Sequence, residues 1–268
     1  MSLVLLKGDC LSVMKDISDA SVDLIICDLP YGCLNLKPNV KIRNGVVHAA
    51  MAGGMVGCPW DVKIDLKAFW VEAKRILRSK NSPVIHFCTT RFGCELINSN
   101  PSWYRYDLVW NKQRSASFLN AGQCPLRQHE MIYVFSEKGP YYNRIDVQGD
   151  FQKWRHNRGD VSTQYGVQRI SSAGGDGTRC VTSVFFNGAP RRRGGHPTEK
   201  PELLYRKLIE RYCPVGGTVL DPTCGSGNAA FTAFDMDRHA IGIEMDDGFF
   251  AKMVERVNGL GDLIEHVD

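Results

Sequence analysis

Thr218-Val219-Leu220-Asp221-Pro222-Thr223-Cys224-Gly225-Ser226-Gly227-Asn228 is the stretch that decides the fold. Gly216-Gly217 leads into a short β-branched and apolar run that ends at Asp221, and a glycine turn follows. Beyond the turn, Asn228–Met236 reads as a helix, Ala240–Ile243 as a strand ending at Glu244, and Phe249–Val257 as a last helix. A strand, a glycine turn, a helix and a second strand form the unit of a nucleotide-binding half in a parallel sheet.

The residues of this unit carry chemistry. Gly225 and Gly227 lack a Cβ, so the backbone can turn sharply and approach a ligand. An acid at the end of the second strand, Glu244, can accept hydrogen bonds from both hydroxyls of a ribose. A Gly-rich turn with one acid suits a dinucleotide and S-adenosylmethionine about equally. Two details separate them. The glycines do not form Gly-x-Gly-x-x-Gly, and Asp221 stands before the turn, where it would repel a pyrophosphate and attract an ammonium. S-adenosylmethionine has an ammonium, a sulfonium and no phosphate, and the electrostatics favour it.

At the other end of the chain, Val22-Asp23-Leu24-Ile25-Ile26-Cys27 reads as a buried strand that delivers Asp28-Leu29-Pro30-Tyr31-Gly32 to a cleft. This motif offers a carboxylate, a backbone carbonyl and an aromatic face, a set suited to gripping a planar base with an exocyclic amine. Leu3–Leu6 reads as a strand, Cys10–Ile17 and Leu66–Leu77 as helices, Pro83–Phe87 as a strand and Arg91–Ile97 as a helix. Arg105–Trp110 and His129–Phe135 are two further strands, and Pro201 opens a helix running to Tyr212. Residues 33–60 read as a long loop with Pro38, Gly45, Gly53, Gly54, Gly57 and Pro59, and 138–193 carries few apolar anchors.

A chain of 268 residues that is 43% hydrophobic and 23% charged has the composition of one large α/β domain, or of one domain with an insertion. No apolar stretch approaches the ~20 residues needed to cross a bilayer. Without a basic n-region at the N-terminus, a cytoplasmic location is expected. The 10 cysteines include no Cys-x-x-Cys, and reduced, mostly buried thiols with no metal site are expected. Between Lys112 and Arg193 there are 13 Lys and Arg against 6 Asp and Glu, so the rest of a chain of net charge +4 is slightly acidic. That asymmetry fits an insert facing a polyanion.

Asp-Leu-Pro-Tyr-Gly resembles the Asp/Asn/Ser-Pro-Pro-Tyr motif of the amino-directed DNA methyltransferases. Its position ahead of the cofactor turn is similar to the permuted β group of that family. His196-Pro197-Thr198-Glu199-Lys200-Pro201, Lys7-Gly8-Asp9-Cys10, Trp110-Asn111-Lys112 and His129-Glu130 match further motifs of the group. The resemblance spans most of the chain outside roughly 33–60 and 140–193. It departs at Leu29, where the family has a first proline; the carbonyl needed for the chemistry remains.

The resemblance implies a Rossmann-like α/β fold, with a mixed, mostly parallel seven-stranded sheet and helices on both faces. It implies a catalytic half at 1–111, a basic target-recognition insert at 112–195 and a cofactor-binding half at 196–268. Asp28 and the Leu29 carbonyl would accept hydrogen bonds from the target amine, with Pro30 holding the turn and Tyr31 stacking on the extruded base. Asp221, Thr223, Gly225, Gly227 and Glu244 would hold S-adenosylmethionine together with Asp28, while Asp9 and the Cys10 backbone would read its adenine edge. Thr198 and Lys200 would meet its carboxylate. Lys112, Arg114, Arg144, Lys153, Arg155, Arg158, Arg191, Arg192 and Arg193 are the candidate contacts to double-stranded DNA, and a homodimer is compatible with the group. The expected reaction is methyl transfer to adenine N6. Cytosine N4, or an RNA or protein-glutamine acceptor gripped by the same motif, are the alternatives.

Overall fold

The computed structural model describes residues 1–32, 39–43, 46–50, 61–116, 121–148, 177–187 and 199–259. Its strands, in chain order, are β1 (Leu3–Lys7), β2 (Leu24–Cys27), β3 (Asn39–Arg43), β4 (Val46–Ala50), β5 (Val84–Cys88), β6 (Tyr104–Ala116) and β7 (Arg127–Phe135). They continue with β8 (Val147–Gln148), β9 (Thr178–Arg179), β10 (Val184–Phe186), β11 (Thr218–Asp221) and β12 (His239–Glu244). The helices are α1 (Cys10–Val13), α2 (Leu66–Ile76), α3 (Thr90–Ser99), α4 (Glu202–Tyr212), α5 (Asn228–Asp235) and α6 (Asp247–Asn258).

Eight strands form the main sheet in the order β1-β12-β11-β2-β5-β7-β6-β10, and β7 alone runs against the others. The expected mixed, mostly parallel sheet is present with one strand more than the seven read from the sequence. The eighth, β10, pairs with β6 through only three residues, too few for a period-2 pattern to register. β11 lies between β12 and β2, so strands from opposite ends of the chain alternate in one sheet. This is the permuted order in physical form.

β2 shows how the sheet is covered. Leu24 and Ile26 face a core cluster with Leu204, Leu208, Ala229, Phe231, Met253 and Val257, which come from α4, α5 and α6. Ile25 and Cys27 face the opposite cluster with Cys10, Phe69, Trp70, Ala73, Phe92 and Leu96, from α1, α2 and α3. All four strand residues are buried because both faces carry helices, as parallel sheets require. Side chains close the helix starts. Asp65 accepts from Lys67 N and Ala68 N at 2.9 and 3.2 Å, and Asp246 from Gly248 N and Phe249 N at 2.9 and 3.0 Å. Pro201 is the N-cap of α4 rather than its first residue, with φ of −69°.

The domain boundary differs from the sequence expectation. Residues 112–116 continue β6, 127–135 form β7 and 184–186 form β10, all in the main sheet. The compact unit separate from the sheet is Arg144–Thr182, narrower than 112–195. Its described part holds β8 and β9 as an antiparallel pair. The polar run Asn111-Lys112-Gln113-Arg114-Ser115 conceals a strand end, because a sheet margin needs backbone partners and not apolar side chains. Within 33–60, β3 and β4 pair antiparallel, Lys41 opposite His48, where the sequence suggests only a loop.

α3 approaches β7 at Gly93, where an added Cβ would come within 2.3 Å of the Tyr133 ring. Tyr133 is 5% exposed and has no room to yield. Gly93→Ala should therefore destabilise the protein by about 1–3 kcal/mol despite alanine's better helix propensity, measured by urea unfolding.

Candidate active site

The parallel register brings the carboxyl ends of β1, β12, β11 and β2 to one edge. Lys7 stands opposite Glu244, Asp221 opposite Gly242, and Leu220 opposite Ile25. A cleft of about 410 Å³ opens there, the usual position for a ligand in an open α/β sheet. Its walls carry seven carboxylates (Asp9, Asp28, Asp61, Asp65, Glu199, Asp221 and Glu244) and two lysines (Lys63 and Lys200). Such a wall attracts a cation and disfavours a phosphate.

Asp28 follows β2 directly, and both its oxygens are engaged. The Tyr31 hydroxyl donates to Oδ1 and the Lys200 ammonium to Oδ2. Tyr31 also donates to the Phe87 carbonyl at 2.9 Å, and its ring lies tilted against Phe92 with centroids 5.0 Å apart. Burial, then the Asp28 charge, pushes the Tyr31 phenol well above its ordinary range, so it remains a donor. Leu29 is buried at 1% exposure, and Pro30 lines the cleft beside it. The Gly32 amide donates to Asp61 Oδ1 at 2.9 Å, closing the turn. Thr223 Oγ1 donates to the Asp28 carbonyl at 3.3 Å and so ties the two motifs together.

Lys200 is 4% exposed. Burial opposes its charge, but Asp28 and Glu130 outweigh burial and hold its pKa above the ordinary lysine value. Its backbone is fixed by Asn228, whose Nδ2 donates to Glu199 Oε1 at 2.6 Å and to the Lys200 carbonyl at 3.1 Å. The reading that gave Lys200 to a cofactor carboxylate thus meets a different arrangement, in which its ammonium is bonded to Asp28. Its partner Thr198 lies outside the described residues.

On the glycine turn, Gly225 N donates to Glu244 Oε2 at 2.7 Å and Asp246 N to Glu244 Oε1 at 2.8 Å. These bonds fix the carboxylate while leaving further lone pairs on each oxygen. Burial raises the Glu244 pKa against the pull of the two amides. Gly227 caps α5 with φ of 77°, and an added Cβ would meet the Phe231 ring at 2.7 Å and Met253 Sδ at 2.9 Å. Left-handed backbone and internal packing both demand this glycine. Asp221 accepts from Thr223 N at 3.1 Å. Burial pushes its carboxyl up to about 8, with Asp28 and Glu244 adding and the Thr223 amide opposing.

Asp9 caps α1 by accepting from Ser12 N at 3.0 Å while lining the cleft, and Cys10 is buried beside it. Among the candidate DNA contacts, Lys112 donates to Glu130 Oε1 behind the site and is not a free surface charge. Arg114 is exposed at the end of β6. Arg144, in the second unit, pairs with Asp146 at 2.7 and 2.9 Å. Lys153, Arg155, Arg158 and Arg191–Arg193 lie outside the described residues. Sequence reasoning gave no role to Glu130, Asp61 or Asn228. For Glu130 a signal existed: a carboxylate at the mouth of the apolar run Met131–Phe135 needs a cation.

The model of the N6/N4 DNA methylase family matches residues 22–255. The chain is 26% identical over 257 residues to the Type II methyltransferase M.HinfI of Haemophilus influenzae, spanning 91% of this chain and 65% of that protein. It is 29% identical over 158 residues to the Type II methyltransferase M.XycI of Xanthomonas campestris pv. cyanopsidis, spanning 59% of this chain and 45% of that one. The chain thus spans less than two thirds of the length of these curated relatives. Its fold is similar to the crystal structure of the M1.HpyAVI–SAM complex, with a TM-score of 0.58, 17% identity, and coverage of 96% of this chain and 100% of that one. A match over most of the length, to a family whose two motifs meet here on one sheet edge, means that this chain belongs to the N6/N4 DNA methylases.

Proposed function

We propose that this protein is an S-adenosylmethionine-dependent DNA methyltransferase acting on the exocyclic amine of a flipped base, with adenine N6 the preferred acceptor. The observation that carries the reading is the junction of Asp28 and Tyr31 with Thr223, which sets the amine-gripping motif against the glycine turn in one acidic cleft. Family membership supports the reaction class, and the S-adenosylmethionine of the M1.HpyAVI complex supports the cofactor. The cleft's own chemistry fits that cofactor. Its volume lies in the range of small-molecule sites, and its excess of carboxylates suits a ligand with an ammonium and a sulfonium.

In this reading Glu244 takes the ribose hydroxyls, Asp221 and the Gly225–Gly227 turn take the methionyl ammonium, and Asp9 and Cys10 border the adenine. When bound, the cofactor supplies a methyl group already activated by its sulfonium. The protein's task is alignment and polarisation. The amine nitrogen of a nucleobase is a poor nucleophile because its lone pair is delocalised. Asp28 and the Leu29 carbonyl accept from its hydrogens and favour the pyramidal nitrogen, an interaction stronger in the transition state than in the ground state. Flipping the base costs a few kcal/mol, partly offset by contact with Tyr31. The Arg144–Thr182 unit and its basic neighbours are the candidate DNA-recognition segment, phosphate contacts supplying most of the affinity.

Labelled methyl transfer from S-adenosylmethionine to unmethylated DNA, followed by nucleoside mass spectrometry, tests the assignment. N6-methyladenine is the expected product; N4-methylcytosine would keep the reaction and change the base, and absence of any product would overturn it. Asp28→Ala should lower turnover by at least ~1000-fold while the cofactor still binds, since a lost transition-state contact leaves ground-state binding largely intact.

Asp221 gives a second expectation. At neutral pH its carboxyl, titrating at about 8, holds a proton that a cofactor ammonium would expel. Binding should therefore release a proton and tighten by roughly tenfold per unit as pH rises from 6.5 toward 8, read by calorimetry in buffers of different ionisation enthalpy. Between the ordinary carboxyl value of 3.8 and about 8 the folded state binds more protons than the unfolded one, so stability falls as pH rises through that window. Asp221→Asn should flatten both dependences. A proton release unchanged in that variant would remove Asp221 from the ammonium site.

A further inference from the structure

The turn that carries Asp28 and Tyr31 is fastened differently at its two ends. Asp28 leaves β2, a strand paired on both sides, and Leu29 is buried. At the far end the chain departs at Gly32, in left-handed backbone with φ of 65°. The Gly32 N–H lies in the same peptide plane as the Tyr31 carbonyl, so a bond to that N–H fixes the torsions on both sides of the plane. Asp61 makes that bond, its Oδ1 accepting at 2.9 Å. Asp61 is buried, and the charge-assisted bond from Gly32 is one of the contacts that serve its carboxylate.

The segment that carries Asp61 meets the turn a second time. Lys63 lies against Gly32, its Cγ 2.8 Å from where a Cβ on that glycine would stand. The Lys63 ammonium pairs with both Glu95 oxygens on α3, at 3.0 and 2.8 Å. One helical turn earlier on α3, Phe92 packs on the Tyr31 ring. Two residues beyond Lys63, Asp65 caps α2 and fixes the end of the segment. Backbone and ring of the turn are thus held by one assembly of α3 and residues 61–65. The whole of 61–65 also lines the cleft.

We propose that Asp61 is a positioning residue for methyl transfer: through the Gly32 N–H it sets the Tyr31–Gly32 peptide, and with it the place of the Tyr31 ring against the gripped base. The proposal rests on the functional reading above, in which Asp28 and the Leu29 carbonyl grip the amine and Tyr31 meets the base. Pro30 has its own φ fixed by its ring, and Asp61 fixes the peptide after Tyr31, so the tyrosine is held from both directions. Released by Asp61, Gly32 would regain the wide torsional freedom of a residue without a Cβ. The Tyr31 ring would then be held by its hydroxyl and by Phe92, with no tether on its own backbone from this side. Aligned transfer tolerates little such freedom, since a misplacement of about 1 Å costs on the order of a hundredfold in rate. The Lys63–Glu95 pair is exposed, so it contributes the packing of the lysine stem more than ion-pair energy.

The test is a pair of variants in the full chain, Asp61→Ala and Asp61→Asn. Each is assayed for methyl transfer to unmethylated DNA and, separately, for S-adenosylmethionine binding by calorimetry. Alanine removes the acceptor, whereas asparagine loses the charge but keeps an oxygen at the same reach for the Gly32 N–H. The expected result is a fall in kcat of at least ~tenfold in Asp61→Ala with the cofactor Kd within about threefold of wild type, and recovery of most of the lost kcat in Asp61→Asn. A kcat in Asp61→Ala within about twofold of wild type overturns the proposal. So does an Asp61→Asn as slow as Asp61→Ala, which would give the role to the charge rather than to the bond from Gly32. A parallel loss of kcat and cofactor affinity also overturns it, by making Asp61 a wall of the cofactor site. Should Asp61→Ala not accumulate as folded protein, Asp61→Ser decides: its hydroxyl stops short of the Gly32 amide, and undiminished kcat there overturns the proposal. Absence of transfer by the wild-type protein would instead strike the functional reading itself.

Discussion

The ion pair between Lys200 and Asp28 joins residues 172 positions apart and holds the acidic edge of the sheet together. The parallel register delivers Asp28, Asp221 and Glu244 to one edge, where three buried or half-buried carboxylates would repel one another without a cation or a proton among them. Asp221 relieves part of the strain by keeping its proton to about 8, and Lys200 relieves the rest. The same ammonium lowers the Glu130 pKa together with Lys112, against the effect of burial.

Support for that lysine is spread through the fold. Asn228 at the start of α5 donates to the Glu199 side chain and to the Lys200 carbonyl, and accepts from Arg256 of α6 at 2.9 Å. Arg256 in turn lies 4.0 Å over the Phe231 ring. The helix that follows the glycine turn therefore does two things: it shapes the turn through Gly227, and it anchors the segment that carries the counter-charge.

The sequence made the sheet legible because its central strands are buried on both faces and stand out as short apolar runs between turn signals. Leu24–Cys27 and Thr218–Asp221 needed no more than that. Ends of strands were harder. β10 has three residues, and β6 runs on through polar ones, so neither carries a pattern. At the site, Asp28, Tyr31, Asp221 and Glu244 were legible because each follows or closes a strand that pattern alone locates. The partner of Lys200 was not: its bond to Asp28 depends on where a loop 172 residues away packs, which no local periodicity encodes. Asp9, which the resemblance gave to the cofactor's adenine, lines the cleft and also caps α1. Gly227 was legible as the residue of a sharp turn, which its φ of 77° bears out, while the packing of the Phe231 ring against it was not.

The place of β11 between β12 and β2 bears on how the chain comes into being. A ribosome releases β2 and β5 early, but the neighbour that completes the other edge of β2 is not synthesised until residues 218–221. Through most of translation, Leu24-Ile25-Ile26-Cys27 has one edge unpaired, and the helices that cover one of its faces, α4 to α6, are still to come. The nascent chain must therefore carry an open, apolar strand for the time taken to make nearly 200 residues, at about 5–20 residues per second. This chain order thus lengthens the time for which one edge of a central strand stays open.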